Sequence, residues 1–537
     1  MARLLEEVAR SLPGGGEHRP GQVEMAERVT RAINEGRHLV VQAGPGTGKS
    51  LAYLLAAVQS GRRVVVATAT KALQDQLAHK DLPFLAAQPG PRSGFTFAVL
   101  KGRSNYLCRQ RAAELNGRSA DPQMFDDVAT HDQQTGSDEQ RIDLRRFDSQ
   151  VHRILEWSER SSSGDRAELD FEPHPRVWMA LSVGARECPG AFRCPSGPVC
   201  FAEQARALAA ASDIVVVNTH LYATHVASDG AVLPDHDVLV FDEAHAVEDI
   251  MTAGLGVELT AGRLRAVASA GRGLLGHDDA GLAEALSEVA DQLDKVLQPL
   301  LGMRVLTDRV GTVGRDREED TDRETGTADL EHEGDTDGTA RDSELQSVLG
   351  LARGRVEALV GTLRRADDDQ DGGGRRARAL LSAVHLLDDL SELEMARNDH
   401  VAWVERAGPA GRLPTLRLAP VEIAPVLAAR LWPKVTAVLT SATVPLLLKA
   451  TLGLPESQTD HVDVGNPFPY EHCALLYCPT DLPDRRSPGA EAAVQAELYR
   501  LIVAARGRTL ALFTSWRSMQ AAIEALRPRL KFKVLAQ

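Results

Sequence analysis

Ala43-Gly44-Pro45-Gly46-Thr47-Gly48-Lys49-Ser50 stands between a β-branched run, His38 to Ala43, and an apolar helical pattern, Ser50 to Gln59. A glycine-rich turn between a strand and a helix is the setting in which this spacing wraps phosphates. Gly44, Gly46 and Gly48 let backbone amides turn inward at a helix amino terminus, where the helix dipole favours an anion. Thr47 lines the loop, Lys49 can reach the β and γ phosphates, and the Ser50 hydroxyl can bind magnesium. The general pattern writes glycine where this chain has Ala43, a small change in bulk. ATP with Mg2+ is the expected ligand.

Val238-Leu239-Val240-Phe241-Asp242-Glu243-Ala244-His245 supplies a second half. An apolar strand delivers two carboxylates at its carboxyl end, where ligands of open α/β sheets sit. Asp242 is expected to hold magnesium, and Glu243 to orient and deprotonate the attacking water, with His245 beside them. Acidic residues at such a place also cap helices. The phosphate loop upstream favours the catalytic reading.

Further short segments join these two in order. Thr68-Ala69-Thr70-Lys71-Ala72-Leu73-Gln74-Asp75-Gln76-Leu77 and Leu439-Thr440-Ser441-Ala442-Thr443 follow expected strands, and Arg19-Pro20-Gly21-Gln22 precedes the loop. The set resembles motifs Ia, III and Q of superfamily 2 helicases, with the phosphate loop and Asp-Glu-Ala-His as motifs I and II. The resemblance implies RecA-like domains and makes Gln22 the adenine contact.

Outward from the phosphate loop, β-branched runs recur at Arg63 to Ala67, Ile214 to Asn218, Val238 to Asp242, Ala437 to Thr440 and Thr509 to Phe513. They read as buried parallel strands. Helical patterns at Lys71 to His79 and Trp516 to Leu526 complete the alternation of a doubly wound sheet. Long stretches between Leu100 and Ile214, and between Ile250 and His400, read as insertions. In the second, Arg315 to Glu344 holds 13 acidic and 4 basic residues without an aromatic, and is expected to be disordered. Asp367 to Gly374 is expected to be an exposed loop.

Four cysteines fall in the first insertion: Cys108, then Cys188, Cys194 and Cys200 with five residues between successive members. Six cysteines are too few for a disulfide scaffold in 537 residues, so a cluster of four points to a metal. Sulfur ligation suits zinc or an iron-sulfur centre; zinc sites usually show two closer pairs. Resemblance goes further. Lys101-Gly102-Arg103-Ser104-Asn105-Tyr106-Leu107-Cys108, with Ser212 to His220 and Gly465-Asn466-Pro467-Phe468, is similar to the DinG branch of the XPD-like DNA helicases, whose four cysteines hold a [4Fe-4S] cluster. Cys473 and Cys478 lie apart and read as ordinary buried thiols.

The resemblance covers essentially Gln22 to Gln537. It implies an α/β fold: a P-loop RecA-like parallel sheet with an Fe-S insertion and a helical, arch-like insertion, plus an incomplete second RecA-like domain. The expected first RecA-like domain comprises residues 1–105, 206–250 and 401–455; the iron-sulfur insertion is 106–205, the arch-like insertion 251–400, and the second domain 456–537. It also implies 5′ to 3′ translocation on single-stranded or forked DNA, or RNA-DNA hybrids, in repair or replication. Candidate DNA contacts are Thr68, Thr70, Lys71, Arg103 and Arg109.

Motif IV has a counterpart from Arg508 to Ser515, and a further strand is expected from Phe532 to Leu535, but motifs V and VI have none. This chain is therefore expected to bind ATP and single-stranded DNA and to be impaired alone in hydrolysis and unwinding. A non-motor nucleotide- and DNA-binding Fe-S protein, or an RNA helicase, are the alternatives; a nuclease fits less, because the motifs begin about twenty residues in.

Hydrophobic residues at 43% and charged residues at 25% exclude collagen-like, coiled-coil and wholly disordered classes. No apolar run reaches the roughly 18 residues of a membrane span, and no signal peptide is evident. A cytoplasmic, nucleoid-associated monomer is expected. The net charge of −14 argues at first against nucleic acid. Arg315 to Glu344 alone carries nine of those charges, so the remainder stands near −5 and excludes nothing.

Overall fold

The computed structural model describes residues 1–12, 15–88, 90–116, 144–272, 274–276, 279, 281–306, 336–365, 374–395, 399–407 and 413–536. Its strands are β1 (His38–Gln42), β2 (Val64–Thr68), β3 (Phe97–Val99), β4 (Ile214–Asn218), β5 (Val238–Asp242), β6 (Val257–Leu259), β7 (Arg304–Val305), β8 (His400–Ala407), β9 (Leu413–Pro420), β10 (Thr436–Ser441) and β11 (Thr459–Asp463). Seven of them form one sheet in the order β11-β1-β10-β5-β2-β4-β3, and each pairing is parallel.

The central strands are apolar throughout because both faces are covered. Val64 and Val66 of β2 and Val238 and Val240 of β5 point into a core with Met25, Leu54 and Leu55. Val65, Ala67, Leu239 and Phe241 point the other way, against Tyr222, Met251 and Trp432. The register sets Thr68 level with Asn218 and Asp242, Asp242 level with Thr440, and Gln42 level with both Ser441 and Asp463. Polar side chains thus line up along the carboxyl rim of an apolar sheet.

By contact the chain divides into Met1–Pro467 and Phe468–Gln537. The division lies beyond the boundary expected at 455/456, because Thr459–Asp463 pairs with β1 and closes the edge of the first sheet. Residues 400–420 also depart from expectation. They do not return to the parallel sheet; β8 and β9 pair with each other, and with β6 and β7 make a four-stranded antiparallel sheet in the order β6-β9-β8-β7. Leu416 and Leu418 of that sheet share a core with Leu264, Leu293, Leu359 and Leu390 from the helices Ala261–Arg272, Gly281–Leu297, Thr336–Arg365 and Gly374–Glu394. The second insertion is a mixed module, not a purely helical one.

The acidic segment is likewise only partly as expected. Residues 315–335 lie outside the described residues, but Thr336–Arg365 is a continuous helix that takes in the rest. Leu345, Val348, Leu349, Ala352 and Val356 form its buried stripe, and the preceding acidic turns extend it. Residues 367–373, expected as a loop, also lie outside the description, and Gly374 opens a helix.

The cysteine-bearing insertion has a core of its own around Phe147, Ile154, Trp178, Leu181 and Phe201. The second unit holds the helices Tyr470–Cys473, Ala490–Ala504 and Trp516–Leu526 and, among its described residues, no strand. The strands expected at Thr509–Phe513 and Phe532–Leu535 are not formed. Leu510 and Leu512 are 83% and 85% exposed, with no neighbouring strand in that unit to take their backbone hydrogen bonds. Among the described residues no helix is long and apolar enough to cross a membrane.

Candidate nucleotide site and cysteine cluster

The helix Lys49–Ser60 begins directly from the phosphate loop, with Gly46 at φ +82° and Gly48 at φ +84°. Ala43 needs no such freedom: it continues β1, its amide donating to the Ser441 carbonyl at 2.9 Å. The loop is braced from both sides. Arg19 donates to the Gly46 carbonyl and Gln22 Nε2 to the Gly48 carbonyl at 3.0 Å, while Thr47 Oγ1 closes on the Gly44 carbonyl at 2.7 Å. On the opposite side a Cβ on Gly44 would lie 1.8 Å from Asn466 Oδ1, so a larger residue there would displace the Asn466 side chain. Gln22, expected at the adenine, spends its Nε2 on this brace.

Lys49 Nζ stands 3.7 Å from Glu243 Oε1, which brings motifs I and II together across the sheet's rim. Asp242 is 2% exposed. Its Oδ2 accepts from Tyr53 at 2.8 Å and its Oδ1 from the Glu243 amide at 3.0 Å. Burial raises the Asp242 carboxyl above the ordinary range, and the Tyr53 hydrogen bond and the Lys49 charge work against that rise. Glu243 has a left-handed backbone at φ +60°, a conformation that costs a non-glycine residue about 1 kcal/mol and clusters at functional sites. His245 Nδ1 lies 2.8 Å from Ser441 Oγ and 3.4 Å from Glu243 Oε2, so motif III joins the group.

Sequence reading missed Tyr53, Gln42 and Asp463. Gln42 Nε2 donates to Asp463 Oδ2 at 2.7 Å, and its Oε1 accepts from the Val444 amide at 3.1 Å, tying β1 to β11 and to the segment after motif III. A polar residue ending an apolar strand was the available signal for Gln42.

The four clustered cysteines are free and half-buried. Burial pushes the Cys194 thiol up, the Ser196 amide opposes it, and Cys108, Cys188 and Cys200 add to the rise. Burial also raises Cys108, against the Arg111 and Gln110 amides and the Arg378 and Arg111 charges. Among the described residues no group of three or more His, Cys, Asp or Glu closes tightly enough to hold a metal ion. Cys473 and Cys478 are exposed, not buried as expected, because their unit covers little of its own surface.

The expected DNA contacts fare unevenly. Thr70 and Lys71 are exposed at the start of the helix Lys71–Gln76, whose first turn Thr70 caps through Leu73 N at 3.3 Å. Thr68 is fully buried and turns its hydroxyl back toward the Thr70 carbonyl at 3.3 Å. Arg103 pairs with Glu203 and feels Cys188 and Cys200, and Arg109 lies over the Phe201 ring at 4.1 Å. Both arginines are held inside the cysteine insertion, where Arg103 Nη1 and Arg109 Nε are buried donors without a partner.

A phosphate loop on β1, carboxylates on the adjoining rim and a linking Ser-Ala-Thr segment define a P-loop nucleoside triphosphatase of the helicase class. Residues 20–147 match the DEAD/DEAH box helicase family. The chain is 34% identical over 544 aligned residues to the ATP-dependent helicase DinG of Mycobacterium tuberculosis H37Ra, covering 97% of this chain and 75% of that protein. It is 29% identical to the ATP-dependent DNA helicase YoaA of Escherichia coli K12, covering 99% and 76%. A solved XPD helicase gives a TM-score of 0.46 at 12% identity, over 96% of this chain and 75% of that one. The chain belongs to the DinG family of ATP-dependent helicases.

Proposed function

We propose that this protein is a DNA helicase that couples ATP hydrolysis to 5′ to 3′ movement along single-stranded DNA, acting on forked DNA or RNA-DNA hybrids during repair or replication, as a nucleoid-associated monomer in the cytoplasm. The observation that carries the reading is the meeting of Lys49 and Glu243 at 3.7 Å beside buried Asp242. Phosphates seated on the amides of Gly44 to Gly48 meet Lys49 at their β and γ groups. Glu243, held off the ordinary backbone regions, orients the attacking water and takes its proton. Ser50 and Asp242 would hold magnesium; their hydroxyl and carboxylate are the hard oxygen donors it prefers. Magnesium, when bound, would draw charge from the phosphate oxygens. His245 reads the nucleotide side and hands its position to Ser441, and so to β10. Thr70 and Lys71 are the rim contacts for a DNA phosphate.

Cys108, Cys188, Cys194 and Cys200 would hold a [4Fe-4S] cluster, which would cross-link the loops of the insertion. Four free thiols beside Arg103, Arg111 and Arg378, with two unpartnered buried guanidinium donors, suit an anionic sulfur-rich group. Anaerobically purified protein is expected to absorb broadly near ~400 nm, and Cys194→Ser to lose that band; a colourless, zinc-loaded wild type would overturn the cluster. Direction is tested on duplexes with a single 5′ or 3′ tail. Slow separation, of the 5′-tailed substrate alone, is expected, and a preference for the 3′ tail would overturn the assignment.

A further inference from the structure

Tyr53 lies one turn into the helix that leaves the phosphate loop, three residues past Ser50, and is fully buried. Its ring belongs to the apolar core that holds Leu54, Leu55 and Val58, a setting in which a phenylalanine would pack as well. The hydroxyl therefore has some other use. It donates to Asp242 Oδ2 at 2.8 Å. A phenol has one proton to give, and here it goes to the carboxylate.

That bond has a consequence for the carboxylate. Asp242, fixed at Oδ2 by Tyr53 and at Oδ1 by the Glu243 amide, is held in one orientation with lone pairs to spare. We propose that Tyr53 is a positioning residue which, through one buried phenol, sets the Asp242 carboxylate as a ready oxygen donor for the magnesium of Mg-ATP. The inference rests on Ser50 and Asp242 being the magnesium-holding residues.

The test is equilibrium binding of a fluorescent ATP analogue to the full chain, in magnesium and in EDTA, for wild type, Tyr53→Phe and Ser50→Ala. Wild type gains affinity when magnesium is present. Tyr53→Phe is expected to lose about three- to ten-fold of that gain, the usual effect of one hydrogen bond, and to keep its affinity in EDTA. Ser50→Ala is expected to lose the gain as well. A Tyr53→Phe protein with the full magnesium gain, beside a Ser50→Ala protein without it, would overturn the role of Tyr53 alone. Equal losses in magnesium and EDTA would do the same, since they mark a packing role. A Ser50→Ala protein that keeps the gain would overturn the magnesium assignment itself. If Tyr53→Phe does not fold, 3-fluorotyrosine at position 53 keeps the ring and makes the phenol a stronger donor to Asp242. A changed magnesium gain then supports the positioning role, and an unchanged one contradicts it.

Discussion

At Gly48 the backbone sits at φ +84°, and a Cβ there would come within 2.2 Å of Gln22 Nε2. Gly48→Ala is therefore expected to lower stability by about 1–2 kcal/mol, through left-handed strain and the broken Gln22 bond, and to weaken ATP binding at least tenfold. Thermal melting and nucleotide titration check both parts. Ser441 makes a different kind of contact, joining His245 to β10 at 2.8 Å. Ser441→Ala is expected to leave nucleotide affinity within about twofold while reducing DNA-stimulated turnover, since it removes one hydrogen bond remote from the phosphates. Paired binding and turnover assays separate the two effects. At this scale the phosphate loop, Asp242, Glu243 and His245 were legible because phosphate chemistry demands fixed residue types at fixed spacing. Tyr53 was not: within Leu51-Ala52-Tyr53-Leu54-Leu55 it reads as one more apolar residue, and only the fold carries its hydroxyl to Asp242. Arg103 and Arg109 were legible as cations but not as buried ones, because pairing with Glu203 and stacking on Phe201 depend on segments about a hundred residues away.

The elements show the same division. The five central strands of the parallel sheet stood out as continuous β-branched runs because both their faces are covered. β11 is an edge strand with polar residues at Asp460, His461 and Asp463, so its sequence lacks that signal. The β8–β9 hairpin was passed over for a related reason: one face is half-open and the residues alternate. Two element-level contacts give predictions. The helix Gly374–Glu394 places nearly buried Asp389 between Arg186, of the cysteine insertion, and Arg263. Asp389→Ala leaves two guanidinium groups unpaired, though Arg186 is partly solvated. A loss of about 1–3 kcal/mol in denaturant unfolding is expected. The helix Thr219–Ala227 and the segment after it form the second case. His225, His236 and Tyr222 pack as a triangle, and His225 Nδ1 accepts from the Leu233 amide at 3.0 Å. Burial, then His236 and Lys434, depress His225 to about 4, with Asp235 opposing. The unfolded chain binds a proton at His225 near pH 6.5 and the folded chain does not, so this contribution is complete above pH 6.5 and is lost as pH falls toward 4. Wild type should lose melting temperature over that window more steeply than His225→Gln; parallel slopes would contradict it.

For the whole molecule, the net charge of −14 was a poor guide to partners, because nine of those charges lie in one segment. The order of motifs was a better guide: it led to the helicase class, which the parallel sheet and the DinG relatives support. What sequence could not supply was the module boundaries, since insertions interrupt the sheet and return to it at strands whose partners are hundreds of residues distant, as with β1 and β11. The account's central claim is that the row from Lys49 to Glu243 on the sheet's carboxyl rim hydrolyses ATP in the service of DNA. ATP turnover measured against rising single-stranded DNA, for wild type and Glu243→Gln, tests it most directly. The account predicts slow turnover that DNA still accelerates and that Glu243→Gln reduces by at least about 10²-fold while still binding ATP, the loss usual for a general base. Turnover indifferent to DNA, or surviving in Glu243→Gln, would contradict it.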